Sequence, residues 1–196
     1  MVTQAIIPLA GLGTRLLPLS SVIPKELLPI NGKPNLEYIM EECIQAGIKK
    51  FIFVVPKNRP SIKKYFFNDK FYKNIIKKKK NDKRLKKVFG KIKRYQKMIK
   101  FVYQNKPEGT GHAVLQCKKY LKGTHFLMLL ADDLIVKKNC SKEMIALHKR
   151  TKGSVIATKR VERKTVSRWG ILGFKNKTKN SFLINEVIEK PKLTEA

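Results

Sequence analysis

Residues 5–15 read AIIPLAGLGTR, and residues 23–34 continue the same stretch as IPKELLPINGKP. The apolar run at residues 5–10 predicts a buried strand. Gly11 and Gly13 follow it, and glycines spaced in this way let the backbone approach a ligand and turn its N–H groups toward an anion. Arg15 adds a guanidinium that can fork onto phosphate oxygens, and Lys25 is a second cation. A glycine turn after a core strand is the alternative, but the full string favours a phosphate-binding loop.

The residues after Pro34 predict a helix followed by a second strand. Apolar residues recur on one face of the predicted helix, at Leu36, Ile39, Met40, Cys43 and Ile44. The short apolar run 51–55 is rich in β-branched and aromatic residues, as buried strands are. Strand, helix and strand in this order predict a parallel sheet with helices on both faces, and a ligand site at the carboxyl ends of its strands.

A lysine-rich segment occupies residues 56–98 and predicts a helical insertion. Residues 70–100 contain 15 Lys or Arg and a single acid, Asp82. Apolar residues persist among the charges, which favours helices with a solvated cationic face over disorder. A polyanion-binding arm is the alternative, although the segment lacks the interleaved aromatic residues typical of single-strand binders.

Two further strands are predicted to end in polar residues. The run 99–103 leads into Gln104 and then a second glycine loop that opens a helix from Gly109 to about residue 121. The apolar run 124–130 ends in Asp132 and Asp133, where carboxylates would face the predicted ligand crevice. Hard oxygen ligands of this kind suit Mg²⁺. His112, at the start of the predicted helix, is expected to be structural.

The rest of the chain predicts one helix and three strands. The helix covers residues 141–149, with Ser141 as its cap. The strands cover residues 153–158, 169–174 and 182–188.

This pattern resembles the sugar-1-phosphate nucleotidylyltransferases, and residues 23–29 with Lys33-Pro34 look most like their bacterial UTP–glucose-1-phosphate uridylyltransferase branch. Gly170 stands where the family has Tyr-Gly, although Trp169 replaces the tyrosine. Residues 189–191 match the family's Glu-Lys-Pro. The resemblance implies an α/β, Rossmann-like nucleotidyltransferase fold with a mixed, mostly parallel sheet, in a single domain over residues 1–196 that lacks its C-terminal part.

The resemblance also assigns site residues. Triphosphate and sugar phosphate would be held by the catalytic cations Arg15, Lys25 and Lys190. The nucleotide would contact Ala10, Gly11, Gly13, Glu26, Gln104 and Gly109, of which Gln104 and Gly109 recognise the base. Sugar hydroxyls would contact Gly170 and Glu189. Asp132 would hold Mg²⁺, the expected cofactor, with Asp133 beyond it or in solvent.

The amino-acid composition indicates which binding partners and which cellular compartment to expect. The chain carries 44 Lys and Arg against 14 Asp and Glu, a net charge of +30. Nucleic acid or an anionic membrane is the obvious partner of such a charge, but a genome-wide bias toward lysine gives the same result, so neither is expected here. Cys43, Cys117 and Cys140 have neither metal-ligand spacing nor a disulfide framework, which favours a reducing cytoplasm. No signal peptide and no 18-residue apolar stretch are visible.

The expected reaction is uridylyl transfer from UTP to glucose 1-phosphate. Family members continue for roughly another third of their length and carry a second metal-binding Asp there. We therefore expect nucleotide binding with turnover at least about a hundredfold slower, and an uncovered sheet edge that favours aggregation or a homo-oligomer. A sister enzyme using dTTP or another sugar phosphate, a nucleotide-binding remnant without activity, and a basic nucleic-acid-binding protein are the alternatives.

Overall fold

The computed structural model describes residues 1–106, 108–177 and 181–195. It divides into two compact units, Met1–Val155 and Ile156–Ala196. Pro107, inside the predicted second glycine loop, lies outside the described residues.

The helices and strands of both units follow in chain order. The strands are β1 (Gln4–Pro8), β2 (Pro29–Ile30), β3 (Lys33–Pro34), β4 (Lys50–Val55), β5 (Ile99–Tyr103), β6 (Leu127–Met128), β7 (Gly170–Lys177) and β8 (Phe182–Glu189). The helices are α1 (Asn35–Gln45), α2 (Ser61–Phe67), α3 (Asp69–Lys78), α4 (Lys83–Met98), α5 (Gly109–Gln116) and α6 (Cys140–Thr151).

The first unit is built on a four-stranded sheet in the order β5-β4-β1-β6, and all of its strand pairs are parallel. Alternate residues of the strands point to opposite faces. Ile7 and Phe53 pack with α1, α2 and α4 on one face. Ile6 and Val54 pack with Ala113 and Cys117 on the other face, beside α5. The predicted α/β fold, with a parallel sheet covered on both faces, is confirmed.

The lysine-rich segment contains the three helices α2, α3 and α4. The helices α2 and α4 bury part of their apolar residues: Phe66 is fully buried, and Tyr95 and Ile92 are nearly so, whereas Phe71 of α3 is half-exposed. Their lysines face solvent, with the exception of Lys91, which is partly buried and contacts the carboxylates of Glu37 and Glu41 on α1. This pattern explains how so basic a segment folds, because the helices bury their apolar stripe and leave the cationic face in water.

Several predicted boundaries were wrong. β6 pairs with β1 only over Leu127 and Met128, so the strand predicted at 124–130 is much shorter. The strand predicted at 153–158 is absent from the described residues, where no neighbouring strand pairs with that segment. The cap of α6 is Asn139, whose side chain accepts from the Lys142 N–H. Ser141 lies inside the helix, and its hydroxyl donates to Glu42 instead.

The second unit is an antiparallel hairpin of β7 and β8. Both strands were predicted, with β7 beginning one residue later than expected. Among the described helices, none is long and apolar enough to span a membrane.

Candidate active site

The glycine loop begins where β1 ends. Gly13 has a φ of +66°, and a Cβ there would lie 3.2 Å from the Cβ of Ser20. The Ser20 hydroxyl donates to the Gly13 carbonyl at 2.8 Å, which holds the loop against the following turn. A residue other than glycine would therefore be strained at this position. Ala10 is buried, whereas Gly11 and Arg15 are exposed.

Lys25 lies over the glycine loop and contacts the end of the β6 segment. Its Nζ would be 3.9 Å from a Cβ built on Gly11, and it donates to Asp132 Oδ2 at 2.7 Å. The structure thus brings together the glycine loop, Lys25 and Asp132, which lie in three separate stretches of the sequence. They meet at the carboxyl edge of the parallel sheet, as predicted.

The charge of Asp132 is set by two opposing effects. Partial burial raises the pKa of Asp132, but the hydrogen bond and charge of Lys25, with the more distant charge of Arg15, outweigh it and hold the pKa below its usual value. The carboxylate is therefore ionised at neutral pH. Its side chain is 58% exposed, so an incoming cation can reach it.

Glu26, the neighbour of Lys25, lies in the short 3-10 turn Lys25–Leu27. It is only 2% exposed, and its Oε1 has no hydrogen-bond partner among the described residues. Burial raises the pKa of Glu26 above its usual value, although Lys25 opposes the shift. The expected nucleotide contact of this residue stays a prediction.

Two residues that the sequence reasoning missed support this site. Asn35, the first residue of α1, donates from its side-chain amide to the carbonyl of Ala131 and so fixes the backbone next to Asp132. Arg59, in the loop after β4, donates to the carbonyl of Leu12 at 3.5 Å. The signal for Arg59 was present in the sequence, because it follows the carboxyl end of a predicted parallel strand.

Gln104 directly follows β5 and is 4% exposed. Its backbone N–H donates to Val55, which continues the parallel ladder. Its side-chain Nε2 lies 3.4 Å from the Gly109 carbonyl and 2.9 Å from Nδ1 of His112. Gln104 and Gly109, predicted to act together, are therefore in contact, and His112 joins them from the first turn of α5.

The predicted sugar-binding residues meet within the second unit. The β7–β8 register pairs Gly170 with Glu189. A Cβ on Gly170 would lie 3.0 Å from Glu189 Oε2, so the carboxylate occupies the space that glycine leaves. Lys190 has a φ of +50°, and its Nζ lies 3.4 Å from Glu189 Oε1. A carboxylate and an ammonium thus stand side by side at one end of the hairpin.

Within the described residues, no cluster of three or more acidic, His or Cys side chains could hold a metal ion alone. Asp132 offers a single ionised and accessible carboxylate, with Asp133 next in sequence. This donor set fits Mg²⁺, which binds proteins through one or two carboxylates and completes its shell with water and substrate phosphates.

The chain is similar to known nucleotidyl transferases over nearly its full length. The family model described as nucleotidyl transferase matches residues 4–196. UTP–glucose-1-phosphate uridylyltransferase 2 of Staphylococcus saprophyticus is 36% identical over 192 residues, which are 97% of this chain and 66% of that protein. The Staphylococcus haemolyticus uridylyltransferase is 34% identical with the same coverage.

Solved structures of UDP-glucose pyrophosphorylases are similar to the chain as well. A UTP-bound UDP-glucose pyrophosphorylase from Acinetobacter baumannii superposes with a TM-score of 0.84 at 30% identity, over all of this chain and 70% of the other. A UDP-glucose pyrophosphorylase complexed with UDP-glucose gives a TM-score of 0.81 at 29% identity, over all of this chain and 72% of the other. The chain spans about two thirds of the length of the Staphylococcus relatives. The chain therefore belongs to the nucleotidyl transferase family, and its relatives there are UTP–glucose-1-phosphate uridylyltransferases.

Proposed function

We propose that the protein transfers a uridylyl group from UTP to glucose 1-phosphate and forms UDP-glucose and pyrophosphate. The observation that carries this proposal is the contact of Lys25 with Asp132 directly above the Gly11 loop. A phosphate-binding cation and a metal-binding carboxylate at one anion-binding loop suit a nucleoside triphosphate. The names of the relatives supply the base and the sugar.

In the proposed reaction, a phosphate oxygen of glucose 1-phosphate attacks the α-phosphorus of UTP in line. The bond from the α-phosphorus to the oxygen that bridges to the β-phosphate breaks, and the electron pair leaves with pyrophosphate. The protein needs no covalent intermediate. Its contribution is to position the two phosphate groups and to neutralise the charge that develops between them.

Different cationic groups bind different phosphates of UTP. Arg15 and the N–H groups of the glycine loop hold the outer phosphates, and Lys25 neutralises the α-phosphate. Lys25 is hydrogen-bonded to Asp132, so its binding to the α-phosphate would exchange one anionic partner for another. A cation already held at the loop by a carboxylate is positioned for that exchange.

Asp132 would hold Mg²⁺ together with phosphate oxygens of the substrate. The ion, when bound, supplies positive charge that stabilises the phosphate oxygens during transfer.

The base and the sugar would be recognised by separate groups. Gln104 and Gly109 contact the uracil edge, for which an amide and a backbone N–H offer complementary donors and acceptors. Glu189 accepts hydrogen bonds from sugar hydroxyls, Lys190 binds the sugar phosphate, and the backbone of Gly170 approaches the ring.

Because the thiols of Cys43, Cys117 and Cys140 are free, we also propose a cytoplasmic location.

The test is pyrophosphate release by the purified chain in Mg²⁺, with UTP, dTTP or CTP as donor and glucose 1-phosphate as acceptor. We expect release that requires both substrates and is fastest with UTP. Faster release with dTTP would identify a thymidylyltransferase instead. Binding of UTP without release would identify a nucleotide-binding protein that lacks this activity.

A further inference from the structure

Three side chains next to the proposed base site form a continuous row, which we call the Gln104 relay: Gln104, His112 and Gln116. Gln104 Nε2 lies 2.9 Å from His112 Nδ1, and the other ring nitrogen, Nε2, lies 2.8 Å from Gln116 Nε2. His112 and Gln116 stand four residues apart on α5, so they share one helix face. The proposed function uses Gln104 and assigns no task to the other two.

The relay fixes the orientation of the Gln104 amide. The Gly109 carbonyl, 3.4 Å from Gln104 Nε2, can only accept a hydrogen bond, so the NH₂ group of Gln104 must face it. The same NH₂ group then donates to Nδ1 of His112, which must be an acceptor. Both amide protons of Gln104 are thereby directed at protein atoms.

The far side of the imidazole supports the same proton arrangement. If Nδ1 accepts, the ring proton lies on Nε2. Nε2 faces the Gln116 nitrogen in the structure. A neutral ring cannot accept from Gln104 and from Gln116 at once, so the Gln116 amide must be reversed to place its oxygen on the ring proton. The carboxylate of Glu108, 3.7 Å from Nε2, favours a proton at the same place. The Glu108 carboxylate and the Gly109 carbonyl therefore favour the same direction of donation, from Gln104 to Nδ1 and from Nε2 outward.

We propose that His112 is a positioning residue that sets base selectivity, by holding Gln104 with Oε1 as the amide atom offered to the nucleotide. This inference rests on the proposed function, in which Gln104 contacts the base. An acceptor at this place selects a ring that presents an N–H, as the imide of uracil does at N3. Cytosine presents a lone pair at the same ring position and would face a second acceptor.

A variant without the imidazole should lose this selectivity. In His112→Ala, water can replace the ring, but water donates as readily as it accepts, so it leaves the amide of Gln104 able to turn over. In His112→Asn, the side-chain oxygen lies close to the former position of Nδ1 and can still accept from Gln104. The two variants therefore separate loss of the ring from loss of the acceptor.

The experiment measures dissociation constants of UTP, CTP and 5-methyl-UTP for the wild-type chain and for both variants, with Mg²⁺ present. We expect His112→Ala to reduce the preference for UTP over CTP by about tenfold or more. Without the ring, the Gln104 amide can present either its oxygen or its NH₂ group to the base, so it no longer favours uracil over cytosine. His112→Asn should retain most of that preference. The ratio of UTP to 5-methyl-UTP should stay within about twofold throughout, because both bases present the same imide.

An unchanged preference for UTP over CTP in His112→Ala would overturn the proposal. Equal losses in His112→Ala and His112→Asn would overturn it too, as would a parallel change in the 5-methyl-UTP ratio, because either result indicates general distortion of the pocket.

The variant Gln104→Leu distinguishes an error in the role proposed for His112 from an error in the proposed function. If Gln104→Leu loses the preference and His112→Ala keeps it, only the relay is refuted. If Gln104→Leu keeps it, or if the wild type does not bind UTP, the proposed base site fails and the relay fails with it.

Discussion

Lys25 and Asp132 are 107 residues apart in sequence, yet Nζ of the lysine lies 2.7 Å from Oδ2 of the aspartate. The contact forms because the parallel sheet brings the ends of β1 and β6 together. Asn35 strengthens it by bonding to the carbonyl that precedes Asp132. In this contact each charge neutralises the other. A bound Mg²⁺–nucleotide would replace that contact with two new ones.

Replacing Lys25 by Met should separate function from stability. Because the ion pair is partly exposed, we expect the free energy of unfolding in urea to change by less than about 1 kcal/mol. Pyrophosphate release should fall by about 10²–10³-fold, as when one electrostatic group is removed from an active site. Lys49→Met, at an exposed position near β4, is the control and should leave both values unchanged. Normal turnover in Lys25→Met would remove Lys25 from the site.

Glu26 should make the stability of the protein depend on pH. Burial raises the pKa of Glu26 in the folded state. The folded state therefore binds the proton more tightly than the unfolded state, and the stability gained from protonation is present below about pH 4.5 and is lost as the pH rises through the folded pKa. Glu26→Gln should remove this contribution and be more stable than the wild type at pH 7.

Urea midpoints between pH 4 and pH 8 test the Glu26 prediction. The difference between Glu26→Gln and the wild type should shrink toward acidic pH. A constant difference across this range would show that burial does not perturb the carboxyl group.

Lys91 should contribute more to stability than the nearby Lys93. Lys91 contacts Glu37, whose side chain is only 6% exposed. Removing Lys91 leaves a buried carboxylate without its cation, and we expect Lys91→Ala to cost about 2 kcal/mol or more in urea unfolding. Lys93 pairs with the half-exposed Asp69, so Lys93→Ala should cost clearly less than Lys91→Ala. Equal costs would contradict this account of how α4 is held to α1.

The exposed lysines at the end of α3 should not affect nucleotide binding. Changing Lys77, Lys78, Lys79 and Lys80 to Gln removes four exposed positive charges. Interactions of exposed charges are screened beyond about 10 Å at physiological salt. We therefore expect the dissociation constant of Mg²⁺–UTP to change by no more than about twofold. A tenfold loss would show that this segment approaches the nucleotide.

The buried strands and the phosphate loop could be predicted from the sequence because their signals are local. The apolar run before Gly11 is short and ends at a glycine loop, which favours a strand over a helix, and β5 was predicted with its observed bounds. The segment 153–158 shows the limit of such reasoning. Its composition suits a strand, but a strand also needs a neighbouring strand with which to form hydrogen bonds. Local composition does not indicate whether such a neighbour is present.

The sequence singled out the charged residues of the candidate site, but it did not single out the residues that hold them in place. Arg15 and Asp132 stand out because they follow predicted strands, and Lys25 stands out because it lies in the motif of residues 23–29. Asn35 and His112 act by holding other groups in place, and an Asn at a helix start or a His in its first turn is common for structural reasons alone. Their contacts become visible only when the strands are brought into register.

The most direct test of the central claim is the formation of UDP-glucose itself. The purified chain is incubated with UTP, labelled glucose 1-phosphate and Mg²⁺, and the labelled sugar nucleotide is separated and counted. We predict labelled UDP-glucose in proportion to the amount of protein, no product when UTP or Mg²⁺ is omitted, and a large loss in Asp132→Asn. The absence of labelled UDP-glucose from a folded chain that binds UTP would contradict the proposed uridylyl transfer.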